Sequence, residues 1–332
     1  MSSTSPLKEI PGLVWGYRFD PERGQGRALP ADAERAEALR DGGPLWLHLA
    51  LSDARIPGFL EGLPDLPDAA RQTLIERDNH VSITVTAGVV HGVLPDLERD
   101  FDVETRDVGW FRFAFTDRLI ITARLHPLRC TEAVRSLVEQ GRPHTRPVMV
   151  FESIVTEFQR TVSRLVVEMT DELDVIEDHV YDDAPRDERR RLGPVRRTIV
   201  RLHRQVRGTI QLLRRLEAED RRDVPAGMED VADRLVDRLA GVYSDLQALQ
   251  DRARLLHEEI DSKISSETNR HLYVLSVMTA LLLPPTLVVG FFGMNTSDMA
   301  FTATVGGTWY AFSLCAASIL GAWWLLRRNG IF

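Results

Sequence analysis

"ALLLPPTLVVGFFGMN", Ala280–Asn295, sets two adjacent prolines inside an apolar run and ends that run in Gly-Met-Asn. It is the core of a longer stretch: Leu272–Asn295 is 24 residues without a charge. As a helix that is roughly 36 Å, enough to cross a hydrocarbon core of about 30 Å. Trp309–Leu326 adds 18 more uncharged residues, with Trp309 and Tyr310 at one end and Trp323 and Trp324 at the other. Aromatic belts occupy such positions at membrane interfaces. Both segments predict membrane spans, and their lengths and aromatic flanks argue against a buried hairpin of a soluble core.

Charge sets the orientation. The linker Thr296–Thr308 has no Lys or Arg, and its only charge is Asp298. Arg270 precedes the first span, and Arg327 and Arg328 follow the second. The positive-inside rule then predicts both termini in the cytoplasm and a short external loop. About 270 of the 332 residues would lie inside the cell.

Composition narrows the function. A formal charge of −8 disfavours wholesale nucleic-acid binding. Two cysteines, Cys130 and Cys315, exclude a disulfide framework or a Cys-rich zinc fold, and the nine histidines show no ligand spacing. Arginine outnumbers lysine 39 to 2, which points to a GC-rich genome rather than to an activity. The first 25 residues are polar and broken by Pro and Gly, so no cleavable signal peptide is expected.

Residues 1–146 alternate short strand and helix signals and predict an α/β cytoplasmic domain. Val81–Thr86, Gly109–Phe115, "LWLHLAL" and "RLIITAR" have strand patterning. "ADAERAEALRDG" reads as a helix closing on Gly42, and "PDAARQTLIERDN" as one capped by Asp68. From Pro147 long helices take over. Phe151–Asp183 holds ten acidic and two basic residues, Pro185 breaks the helix, and Arg186–Arg222 holds thirteen arginines against five acids. Opposite charges on adjacent segments predict an antiparallel hairpin with complementary faces over 147–227. That pairing is favoured over contact of the basic segment with RNA or anionic lipid.

A stalk over 228–270 follows. Val231, Leu235, Leu239, Val242, Leu246, Leu249, Ala253, Leu256, Ile260 and Ile264 recur at steps of three and four. The pattern is heptad-like and predicts self-association around an axis. One continuous helix from Met228 to Asn295 is the economical reading, roughly 100 Å long. Its membrane part, 271–295, has two unlike faces. Asn269, Leu272, Ser276, Thr279, Leu283, Thr286, Gly290 and Gly293 step along one; Val274, Val277, Leu281, Val288 and Phe292 lie on the other. Small and hydroxyl residues on one face either line a water path or let helices pack closely. Pro284 and Pro285 are expected to kink the span. They free carbonyls one turn back, which a membrane tolerates only in a protein interior or at a wet cavity.

"LPPTLVVGFFGMN", two C-terminal spans, a charged helix entering the first and an α/β domain before it resemble the CorA family of divalent-cation transporters. "SVMTALLLPPT", the external "WYAF" and the basic C-terminus are more similar to its zinc-transporting, ZntB-like branch. The resemblance implies a homopentamer in the inner membrane, embedded in the lipid bilayer, whose first spans surround a central ion path. It implies that Gly293, Met294 and Asn295 form the outer mouth, where Asn295 amide oxygens hold a hydrated cation and the Gly293 backbone assists. It further implies that Thr286, Leu283, Thr279 and Leu275 line the descending path and that Asn269 lies near its cytoplasmic end.

No cofactor is expected beyond the transported cation, Zn²⁺ or Mg²⁺. Mg²⁺ prefers to keep its waters, so recognition by neutral oxygens suits it, whereas a tight zinc cage would use His or Cys. After the signature the zinc branch usually has a Gly-Gly segment and the CorA branch an acidic loop. Here "TSDMAF" offers only Asp298, which would concentrate divalent cations without selecting among them. Zn²⁺ uptake, with proton coupling left open, is the leading expectation. A CorA-type Mg²⁺/Co²⁺/Ni²⁺ channel is the nearest alternative, and a two-span coiled-coil signalling or scaffold protein the next. An enzyme is not expected, because residues 1–146 lack a phosphate loop or a nucleophile elbow. The divisions read from the sequence are 1–146, 147–227, 228–270, 271–295, an external loop 296–308, a second span 309–326 and a tail 327–332.

Overall fold

The structure, a computed structural model, describes residues 9–30, 39, 43–99, 105–181, 185–217, 224–294 and 306–330. It divides into two compact units, Met1–Leu256 and His257–Phe332. The first is built on a seven-stranded sheet of β1 (Leu13–Phe19), β2 (Gly26–Ala28), β3 (Leu45–Ala50), β4 (Ser82–Thr86), β5 (Val89–Leu97), β6 (Val108–Phe115) and β7 (Leu119–Arg124). Their order is β2-β1-β3-β7-β6-β5-β4, with β3 and β7 parallel and the other neighbours antiparallel. The interior strand β3 is buried along nearly its whole length. Leu45, Leu47 and Leu49 pack with Phe59 and Leu60 of α1 (Ile56–Glu61) and Leu74 of α2 (Asp68–Ile75). Trp46 and His48 point the other way, both onto Thr122. A strand covered on both faces reads as a hydrophobic run rather than an alternation.

Strand β5 contains Pro95, which hides it in the sequence. Its register with β4 ends at Val93, so at Pro95 it has β6 as its one strand neighbour, and a missing amide is tolerated there. Ala87 and Gly88 join β4 to β5 with φ of 50° and 77°, the two left-handed residues that a tight hairpin turn requires. Helix α2 differs from expectation at its start. Pro67 occupies the cap position and Asp68 is the first helical residue, bonded to Arg71 at 2.8 Å instead of to a backbone amide. The helix expected to close on Gly42 lies outside the described residues apart from Leu39.

Helix α3 (Arg129–Glu139) leads into three long helices: α4 (Pro147–Tyr181), α5 (Pro185–Glu217) and α6 (Met228–Phe292). Phe113 and Phe115 of the sheet meet Phe151 of α4 at centroid distances of 4.9 and 5.3 Å. Within this unit the helices form a bundle. Arg234 of α6 forks onto Glu152 of α4 at 2.9 and 3.0 Å, and Arg252 reaches Asp174 and Glu177. His203 of α5 stacks on Tyr243 of α6 at 4.8 Å.

Two expectations are corrected here. The α4 acids whose partners are seen pair mostly away from α5. Glu168 and Glu172 bind Arg106, Glu152 binds Arg234, and the α5 arginines lie on the exposed side of their helix. Helices α4 and α5 instead present apolar rows to the bundle core: Leu165, Met169 and Leu173 from one, Val195, Ile199 and Leu202 from the other. Apolar burial decides which faces turn inward, and exposed charge pairs are too weak to override it. The stalk stripe, in turn, is not a free surface for self-association. Leu235, Leu239, Leu246 and Ala253 are 0% exposed within one chain. As far as Leu256 the heptad pattern is consumed by the intrachain bundle.

Candidate functional site

The second unit comprises the later part of α6 and α7 (Gly307–Arg328). These are the two described helices long and apolar enough to cross a membrane. Helix α6 runs unbroken through Pro284 and Pro285 to Phe292. Neither proline has an amide to donate, so the carbonyls of Ala280 and Leu281 lose their helical partners. Helix α7 lies against this stretch, with the Cys315 thiol 3.8 Å from the Pro285 carbonyl. The half-covered row of α6 is Val277, Ala280, Leu281, Pro284, Pro285, Val288 and Phe292.

The opposite side is open. Asn269, Leu272, Leu275, Ser276, Thr279, Leu283, Thr286, Gly290 and Gly293 are all exposed in a single chain. Leu275, Ser276, Thr279 and Leu283 of this side border a hollow of about 460 Å³ together with Ala280 and Pro284 of the half-covered row. Thr279 Oγ1 donates to the Leu275 carbonyl at 2.8 Å, and Thr286 Oγ1 donates to the Leu282 carbonyl at 2.7 Å. A hydroxyl has one hydrogen, so each threonine oxygen is left as an acceptor toward the open side. The waters of a hydrated cation point their hydrogens outward and need such acceptors.

The helix end has the same sense. Gly293 N–H donates to the Val289 carbonyl at 2.9 Å, and Met294 N–H turns to Phe291 at 3.4 Å rather than to Gly290. The C-terminal end of a helix carries the negative end of its dipole, which favours a cation beside Gly293. Asn295 and Asp298 lie outside the described residues. Among the described residues no three His, Cys, Asp or Glu side chains converge as a metal cage. At the far end of α7, Arg327 and Arg328 sit 5.3 Å from the rings of Trp323 and Trp324.

The ionisable groups buried in the first unit are structural. Asp96 accepts from the amides of Leu97, Cys130 and Thr131 and from the Thr131 hydroxyl, and so caps α3 from another strand. No residue beside α3 in the sequence announces this cap. Burial pushes the Cys130 thiol well up, with the Asp96 carboxylate adding to it, so the thiol is inert. Burial likewise lowers His48, His91 and His144 below their ordinary range and keeps them neutral. His144 Nδ1 donates to the Arg142 carbonyl at 3.0 Å, and its Nε2 lies 3.0 Å from the Ser153 hydroxyl. Such groups hold loops in place rather than activate a substrate.

The chain thus joins an α/β domain and a helical bundle to two apolar helices, each long and apolar enough to cross a membrane, with threonine acceptors on the open side of the first. The model of the CorA-like Mg²⁺ transporter protein family matches residues 41–328, and the chain belongs to that family. It is a divalent-cation transporter of that type and not an enzyme. The divalent cation transporter CmaX of Pseudomonas aeruginosa is 25% identical over 323 residues, covering 96% of each chain. The zinc transport protein ZntB of Yersinia pseudotuberculosis is 24% identical over 332 residues, covering 97% of each. A solved structure of full-length CmaX superposes with a TM-score of 0.76 at 23% identity, covering 98% of this chain and 99% of that one.

Proposed function

We propose that this chain carries Zn²⁺ into the cell through a homopentamer in the inner membrane, with both termini cytoplasmic. The observation that supports it best is the row of outward-facing acceptors on α6, Thr279 and Thr286 among them, on the side that reaches Gly293. Exposed polar groups facing lipid are costly, and copies arranged around an axis would enclose them as a wet path. In this reading Asn295 holds the hydrated ion at the mouth, and Leu272, Leu275, Ser276, Leu283, Gly290 and Asn269 complete the wall. Asp298 raises the local cation concentration outside. The Arg270, Arg327 and Arg328 asymmetry supports the orientation.

The name of the ZntB relative supports zinc, while the family model is described for Mg²⁺. Neutral oxygens discriminate weakly, so a Mg²⁺-carrying channel is the second reading. Asn295→Ala tests the site: it is expected to abolish uptake of dye-reported Zn²⁺ in vesicles with assembly intact, and near-normal flux would remove the assigned role. Zn²⁺ and Mg²⁺ uptake measured side by side, with and without an imposed pH gradient, separates the two readings and tests proton coupling.

A further inference from the structure

The bundle of the first unit turns two unlike charged faces outward. On α5, Arg190, Arg197, Arg204 and Arg215 stand on one side of the helix, exposed and without an acidic partner among the described residues. Val200 lies among them at 43% exposure. On α4, Val167, Asp171, Asp174, Asp178 and Tyr181 step by four, three, four and three along the outer side. Val167 and Tyr181 are 61% and 65% exposed, and the neighbouring Val175 is 44% exposed. Asp171 and Asp178 have no basic partner among the described residues. Asp174 is held by Arg252 of the same chain.

We propose that the α5 face docks on the α4 face of a second copy of this chain, joining copies head to tail. The proposal rests on the oligomeric reading above and supplies its contact in the first unit. Spacing and charge support it. Asp171 and Asp178 are seven residues apart, as are Arg197 and Arg204, so each pair spans roughly 10.5 Å of helix. Within one chain α4 and α5 are antiparallel, with His179 3.3 Å from Glu188 across the hairpin. Rotation about an axis along the helices preserves each helix's direction, so α4 of one copy meets α5 of the next antiparallel. Asp171 then faces Arg204 and Asp178 faces Arg197, with Val175 and Val200 at the same level between them. The two faces are different surfaces of one molecule, so the contact is heterologous and can close a ring. An anionic lipid or a nucleic acid would neutralise α5 but would leave the acidic and apolar row of α4 uncovered. A second copy covers both.

The test uses the full chain in membranes with Cys315→Ser as background. Val175→Cys and Val200→Cys are made in separate copies, co-expressed and oxidised. Cross-linked dimers are expected from the mixture and not from either variant alone, and the double variant in one chain should give a ladder. Arg197→Glu with Arg204→Glu should lower the yield about tenfold, as like charges across an interface do. Adding Asp171→Arg and Asp178→Arg should restore it. Absence of mixed cross-links in particles that native mass spectrometry shows to be oligomeric overturns the docking proposal and leaves the oligomer standing. Efficient cross-linking of Val200→Cys copies to one another also overturns it. A monomeric particle overturns both.

Discussion

Helix α6 passes through both units, and its two parts treat their side chains in opposite ways. From Met228 to Leu256 its apolar stripe is buried and its exposed positions are mostly charged or small. From Asn269 to Met294 its residues are exposed or half-exposed, and α7 has no buried residue. The first part is completed by its own chain. The second has surfaces that one chain cannot cover, which only lipid or further copies can. One periodicity of three and four therefore serves two purposes, and which one applies depends on what the rest of the chain offers as a partner.

The contrast is sharpest in paired truncations. Leu239→Ala and Leu246→Ala, both at fully buried positions, should each destabilise the detergent-solubilised protein by about 2–5 kcal/mol in thermal or denaturant unfolding. Leu283→Ala, at 62% exposure, should leave that transition nearly unmoved. Equal losses at the two kinds of position would break the distinction. Asp96→Ala should cost about 1–3 kcal/mol, because it strands the amides of Cys130 and Thr131 at the start of α3.

A smaller effect is pH-dependent. His48 and His144 have folded-state values lowered by burial, so the unfolded chain binds protons first as pH falls. Stability contributed by keeping them neutral is complete above the ordinary value of about 6.5. It is lost as pH drops below that, at up to about 1.4 kcal/mol per pH unit for each histidine. His144→Gln should flatten the pH 5–7 slope of unfolding midpoints. An unchanged slope would assign that dependence elsewhere.

The strands β3, β4, β6 and β7 were legible because β-branched and aromatic residues crowd short segments bounded by turn residues. Strand β5 was not, since Pro95 reads as a breaker until its register leaves it with a single strand neighbour. The Ala87–Gly88 turn lacks the usual Asn-Gly signature. Asp96 shows why long-range capping escapes a linear reading: its partners on α3 are more than thirty residues away. The stalk stripe was visible, but a sequence does not say whether its partner is another copy or the same chain's α4 and α5. Charge misled in the same way, because thirteen arginines beside ten acids imply pairing only if apolar packing allows those faces to meet. Of the candidate path, the stripe of α6 could be read from spacing, whereas the acceptor character of its threonines depends on bonds that only coordinates give.

The central claim is that this acceptor stripe carries the ion. Divalent-cation uptake into proteoliposomes by the wild-type chain and by Thr279→Val with Thr286→Val tests it directly. Valine keeps shape and removes the oxygen, so uptake of Zn²⁺ should fall about tenfold or more with the oligomer intact, while the two serine replacements should largely retain it. Unchanged uptake in the valine variant, or no divalent uptake by the wild type, would contradict the account.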